Sequence, residues 1–163
     1  MSHRHRILVV AQQPKVAERV TSWVRTAGHD VSLETTFAGG RAGLETMPDV
    51  LFADVKLGEY NGLHLALRAH AAGIPAIISG PLDPVLAHEA AAIGAIYLEG
   101  PLSRTRVLEA LAGQLPSRAS IEASHSMHRP VTTIAAEAEM LWRAFSEASW
   151  PEPLGLTRRG LPN

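Results

Sequence analysis

Short runs of Val, Ile and Leu alternate with longer stretches of helical spacing along residues 1–113, and no other feature of the chain restricts the fold as strongly. Ile7–Val10 is the first such run. Pro14 then sits where the first turn of a helix tolerates proline, and Val16, Val20, Trp23 and Val24 recur at helical spacing. Asp30–Glu34 alternates as a second strand, more polar than the others, as an edge strand is. A weak, Gly-rich helix is predicted around Arg41–Met47. Val50–Ala53 is apolar on both faces, hence a central third strand, and it ends at Asp54.

The segment GEYNG at 58–62 has loop chemistry, after which Leu63, Leu65, Ala66, Leu67 and Ala71 mark a third helix. Ile74–Ile78 is the fourth strand. Asp83 and Pro84 then form the cap and first turn of a helix through Ala92. Ala95–Leu98 is the fifth strand, and Val107, Leu108 and Leu111 belong to the helix that follows. Successive βα units place helices on both faces of a parallel sheet. The reading is a flavodoxin-like, doubly wound five-stranded sheet of order 2-1-3-4-5, over residues 1–113.

Residues 114–130 are polar, carry two prolines and lack periodicity, so they read as a linker. Across 131–150 an amphipathic helix is predicted, with Val131, Ile134, Leu141, Trp142 and Phe145 on its stripe, and 151–163 reads as a disordered tail. That stripe either packs on its own domain or meets a partner or a second copy through Trp142 and Phe145. The 163 residues hold 15 Lys and Arg against 16 Asp and Glu, a net charge of −1 that provides no general pull toward nucleic acid or acidic lipid. Cys is absent, which removes disulfides and thiolate chemistry. With no long apolar segment, the expectation is a cytoplasmic protein with neither a membrane nor a nucleic-acid partner. Eight His residues are present without ligand spacing, so no metal site is predicted from them, and His64 and His88 read as solvent-facing.

In an open α/β sheet, function gathers beyond the carboxyl ends of the strands. The residues placed there are Ala11, Gln12 and Gln13, then Asp54, then Ser79 and Gly80, then Glu99, Gly100 and Pro101. Of the four aspartates, only Asp54 ends a central strand. Together, RILVVAQQP, PDVLFADVKLGEYNGLHLA, IPAIISG and GAIYLEGPLS resemble the landmarks of a response-regulator receiver domain, the module phosphorylated on aspartate in two-component signalling. The resemblance covers roughly residues 5–113. It implies that Asp54 is the phosphoacceptor, that Asn61 and Gly62 form the turn into the third helix, that Pro101 is the proline after the fifth strand, and that Tyr97 is the aromatic whose rotamer reports activation.

The same resemblance exposes departures. Where it implies two carboxylates that hold Mg²⁺, this chain has Ala11 and Gln12; where it implies a lysine, the chain has Gly100. Either Ser79 or Gly80 occupies the hydroxyl position after the fourth strand. Phosphoryl transfer to a carboxylate brings two anions together, and the metal and lysine normally neutralise them. Weak or absent Mg²⁺ binding and slow or absent phosphorylation are therefore expected, with no other cofactor, and burial without a resident cation is expected to raise the pKa of Asp54.

The leading expectation is a non-enzymatic pseudo-receiver that signals by contact with a protein partner, through the region Asp83–Leu111. One alternative is a working atypical regulator phosphorylated on Asp54 by a histidine kinase. Another is an unrelated flavodoxin-like ligand-binding module, since fold does not fix function.

Overall fold

The computed structural model describes residues 4–115. Most of the predicted linker, the C-terminal helix with Trp142 and Phe145, and the tail lie outside the described residues. Within them the chain runs β1 (Arg6–Val10), α1 (Pro14–Thr26), β2 (Asp30–Glu34), α2 (Phe37–Leu44), β3 (Val50–Asp54), β4 (Lys56–Leu57), β5 (Tyr60–Asn61), α3 (Leu63–Ala71), β6 (Ala76–Gly80), α4 (Pro84–Ala92), β7 (Ile96–Glu99) and α5 (Arg104–Gln114). The main sheet has the order β2-β1-β3-β6-β7 with every pair parallel, which is the predicted order 2-1-3-4-5 once the small β4–β5 pair is set aside.

Alternation along each strand divides the core between two faces. Ile7, Val9, Phe52 and Ile77 pack against Val20 and Val24 of α1 and Val107 and Leu111 of α5. Leu8, Val10, Leu51, Ala53 and Ile78 face the other way, onto α2, α3 and α4 through Leu44, Leu65, Ala69 and Ala90. Burial of each large side chain is worth about 1.5–3 kcal/mol.

Several elements depart from the expected boundaries: β1 starts one residue early, at Arg6, and β7 is displaced one residue, to Ile96–Glu99 from the predicted Ala95–Leu98. Helix α2 starts at Phe37 and ends at Leu44, ahead of the predicted Arg41–Met47, because Thr36 caps it: its Oγ accepts from the Gly39 N–H at 3.0 Å. Met47 is left outside with φ 53°. Strand β6 is displaced two residues along the chain because Ile74 still closes α3, its N–H bonding the Ala69 carbonyl at 2.8 Å, and Pro75 brings no donor to the ladder. GEYNG is not a plain loop, since Lys56–Leu57 and Tyr60–Asn61 pair antiparallel around Gly58, whose φ of 67° suits glycine. Finally, α5 runs through Gln114, one residue into the predicted linker. At α4 the predicted cap is present: Asp83 Oδ1 accepts from Val85 and Leu86 N–H at 2.9 and 3.3 Å.

Candidate functional site

Asp54 ends β3, and its register partner on β6 is Ser79. Partners in a parallel ladder project to the same face, so the two side chains meet, and Ser79 Oγ donates a hydrogen bond to Asp54 Oδ1. The backbone repeats the tie one step on, where Val55 N–H donates to the Ser79 carbonyl at 2.7 Å. Ser79 is buried and Asp54 half-buried. Burial raises the Asp54 pKa, and the Ser79 hydroxyl pulls it back only in part. Of the two hydroxyl placements left open by the sequence, Ser79 is therefore the residue that touches Asp54.

Gly80, the next residue, points to the opposite face. A Cβ there would run into the Tyr97 hydroxyl and Val55 Cγ1, so the missing side chain makes room for the ring. Tyr97 Oη donates to the Pro81 carbonyl at 2.9 Å, and burial raises the phenol pKa, with Asp83 and Glu99 adding to the rise. The residue that meets Asp54 and the one that meets Tyr97 are thus consecutive, on opposite sides of the sheet.

After β1, Ala11 is fully buried and its N–H donates to the Glu34 carbonyl at 3.0 Å. Gln12 is exposed, and its Oε1 accepts from the Gly58 N–H at 2.8 Å, which ties the β1–α1 loop to the β4–β5 turn. Gln13 is the residue before Pro14, and its carbonyl receives the first N–H groups of α1. Glu99 uses its backbone carbonyl to accept from Arg106 Nη1 at 2.8 Å. Gly100 has φ 70°, and an ideal Cβ on it would meet no atom within 4 Å. Mg²⁺ requires hard oxygen donors, preferably anionic. Asp54 is the one carboxylate lining this cleft among the described residues, and the Gln12 oxygen already has a donor, so the residues present offer that ion a single anionic ligand.

Asn61 and Gly62 form the turn into α3. Asn61 Oδ1 accepts from the Leu63 N–H at 2.9 Å, while a Cβ on Gly62 would strike the Asp54 carbonyl. His64 departs from its predicted solvent-facing place: it is half-buried, edge-on to Phe37 at 6.5 Å between centroids, and burial lowers its pKa. His88 is exposed. No group of three or more His, Asp or Glu side chains comes together among the described residues, and no described helix is long and apolar enough to cross a membrane.

Above Asp54 and Ser79 a cleft of 440 Å³ opens between α1 and the loop before α5. Arg19 and Trp23 are among the lining residues that the sequence does not mark as site residues. Trp23, which the sequence marks only by its helical spacing, is half-buried on the cleft, and the exposed Arg19 lies over it with its guanidinium carbon 5.0 Å from the ring centroid. Their i, i+4 spacing was the available signal.

No family model and no curated protein matches the chain. Solved structures do. The signal receiver domain of a Vibrio parahaemolyticus protein aligns with a TM-score of 0.64 at 24% identity, over 77% of this chain and 100% of that one. The Vibrio cholerae chemotaxis response regulator CheY4 aligns at 0.59 and 20% identity, over 69% and 100%. A receiver domain protein from Clostridium thermocellum aligns at 0.62 and 20% identity, over 68% and 93%. The chain has the flavodoxin-like fold of response-regulator receiver domains.

Proposed function

We propose that this protein is a receiver-like signalling module whose phosphoryl switch has been dismantled, and that it acts by contact with a protein partner, without turning over a substrate. The observation that carries this reading is the pairing of a lone Asp54 carboxylate with Ser79 in a crevice where Ala11, Gln12 and Gly100 supply no charge. A phosphodonor approaching Asp54 would meet its anion with no second carboxylate to hold a divalent ion and no lysine at the Gly100 position, while the cations that line the cleft, Arg19 and Lys56, are solvent-exposed. Mg²⁺ binding is weak or absent on this reading, and no other cofactor is required. The separation of Ser79 from Tyr97 across the sheet also breaks the direct side-chain route from Asp54 to the aromatic.

The docking surface in this reading is α4, β7 and α5. At the head of α4, Leu82 and Val85 are 76% and 65% exposed, an apolar patch that a protein partner would cover. Trp142 and Phe145 are in this reading separate candidates for contact with a partner or with a second copy.

Intact mass tests the reading after incubation with acetyl phosphate, with and without Mg²⁺, followed at short times, with Asp54→Asn as control. The expected result is no gain of mass in either protein. A Mg²⁺-dependent gain of one phosphoryl group that Asp54→Asn abolishes would replace this reading with a working phosphoacceptor served by a histidine kinase.

A further inference from the structure

The cleft above Asp54 has the size of a small-molecule pocket, 440 Å³ against about 300–1,000 Å³ for such sites. Apolar side chains dominate its wall, with Val16, Val20 and Trp23 on α1 and Leu102 on the loop before α5. Its ionisable lining is two exposed cations, Arg19 and Lys56, against Asp54 alone. Arg19 is held in place at the edge: it lies over Trp23, and its Nη2 donates to the Leu102 carbonyl at 3.2 Å, bridging α1 to the α5 loop. The space a side chain at Gly100 would take is open. Polar anchoring at the floor comes from Asp54 and the buried Ser79.

We propose that this cleft binds a small planar aromatic monoanion, its ring against Val16 and Trp23 and its carboxylate or sulfonate on Arg19. The charge balance selects an anion over a cation, because two cations and one acid line the cleft. The apolar wall selects an aromatic body over a phosphate or a sugar. A guanidinium already fixed by one bond and a ring contact loses little freedom on pairing with a carboxylate. The cleft shares Asp54 with the proposed function, but phosphoryl uptake and ligand binding are read by separate measurements, and either can fail alone.

The test is titration of 2-naphthoate into the ¹⁵N-labelled full chain, followed by amide and indole ¹H–¹⁵N shifts. Saturable shifts are expected at the Trp23 indole N–H and at the Ser79, Gly100 and Leu102 amides. Arg19→Gln, an exposed change, should weaken binding about tenfold, as should replacing the probe with uncharged 2-naphthalenemethanol. Val16→Phe, which fills the cleft, should abolish it. Absence of saturable shifts at these groups up to about 5 mM, beyond the millimolar floor of useful affinity, overturns the proposal. So does equal binding of the neutral alcohol, or binding that neither variant changes. If Val16→Phe loses the dispersion of a folded spectrum, the Arg19→Gln and neutral-probe arms decide alone.

Discussion

Gln12 holds Gly58: the side-chain oxygen at the mouth of the crevice accepts the N–H of the β4–β5 turn at 2.8 Å. A neutral amide thus links two loops that converge at the carboxyl end of the sheet. Gln12→Ala should free the turn. The bond is exposed, so the loss of stability is about 0.5 kcal/mol, at the low end for a neutral hydrogen bond. Urea unfolding reads that loss, and Gly58 amide exchange should accelerate while exchange in β3 stays unchanged.

Asp54 gives the fold a pH dependence. Its folded pKa is raised by burial, so between the unfolded and folded values the native state binds more protons than the unfolded chain. Its contribution to stability is therefore fully present below the ordinary carboxylate range and is lost as pH rises through the raised value. Asp54→Asn keeps an acceptor for Ser79 and removes the buried charge. The variant should be the more stable protein at neutral pH, with an advantage that shrinks as pH falls through the folded pKa. Urea midpoints of both proteins across pH 3–8 check this, and equal midpoints throughout would refute it.

Ser79 acts on Asp54 in the opposite sense to burial, because its hydroxyl donates to the ionised form. Ser79→Ala should move the Asp54 pKa further up. The side-chain carboxyl ¹³C shift followed through a pH titration measures it directly; a downward move would mean the hydroxyl does not stabilise the carboxylate.

Gly80 and Tyr97 share one volume. Gly80→Ala places a methyl group against the phenol end and Val55, so the ring must leave its bond to the Pro81 carbonyl. The expected loss is about 1–3 kcal/mol, typical of overpacking. Displacement of Tyr97 would appear in its ring ¹³C shifts, and adding Tyr97→Ala should relieve the clash with Tyr97, leaving that with Val55.

Gly62 allows less adjustment than Gly80, because its missing Cβ faces the Asp54 backbone carbonyl, which cannot rotate aside. Gly62→Ala should lose at least about 3 kcal/mol, the upper part of the overpacking range, and should disturb the Asp54 and Val55 amides. A change near zero would show that the β5–α3 turn shifts freely.

The sequence by itself determined the fold class, the sheet order and the identity of Asp54 as the acid at the centre. Strand Asp30–Glu34 and helices Leu63–Ala71 and Pro84–Ala92 lie where periodicity and caps put them, because hydrophobic spacing and the Asp83-Pro84 start are local signals. Tertiary structure decided the rest. Nothing local to Ser79 or Gly80 tells which meets Asp54; the answer follows from the β3–β6 register, since a shift of one residue turns every side chain to the other face. The Gln12 bond to Gly58 joins residues 46 positions apart, and the cleft edged by Arg19 forms only when α1 packs beside the α5 loop. Periodicity marks Trp23 as apolar, but only packing leaves its ring half-open to a cleft, because burial depends on what lies opposite and spacing carries no information about that.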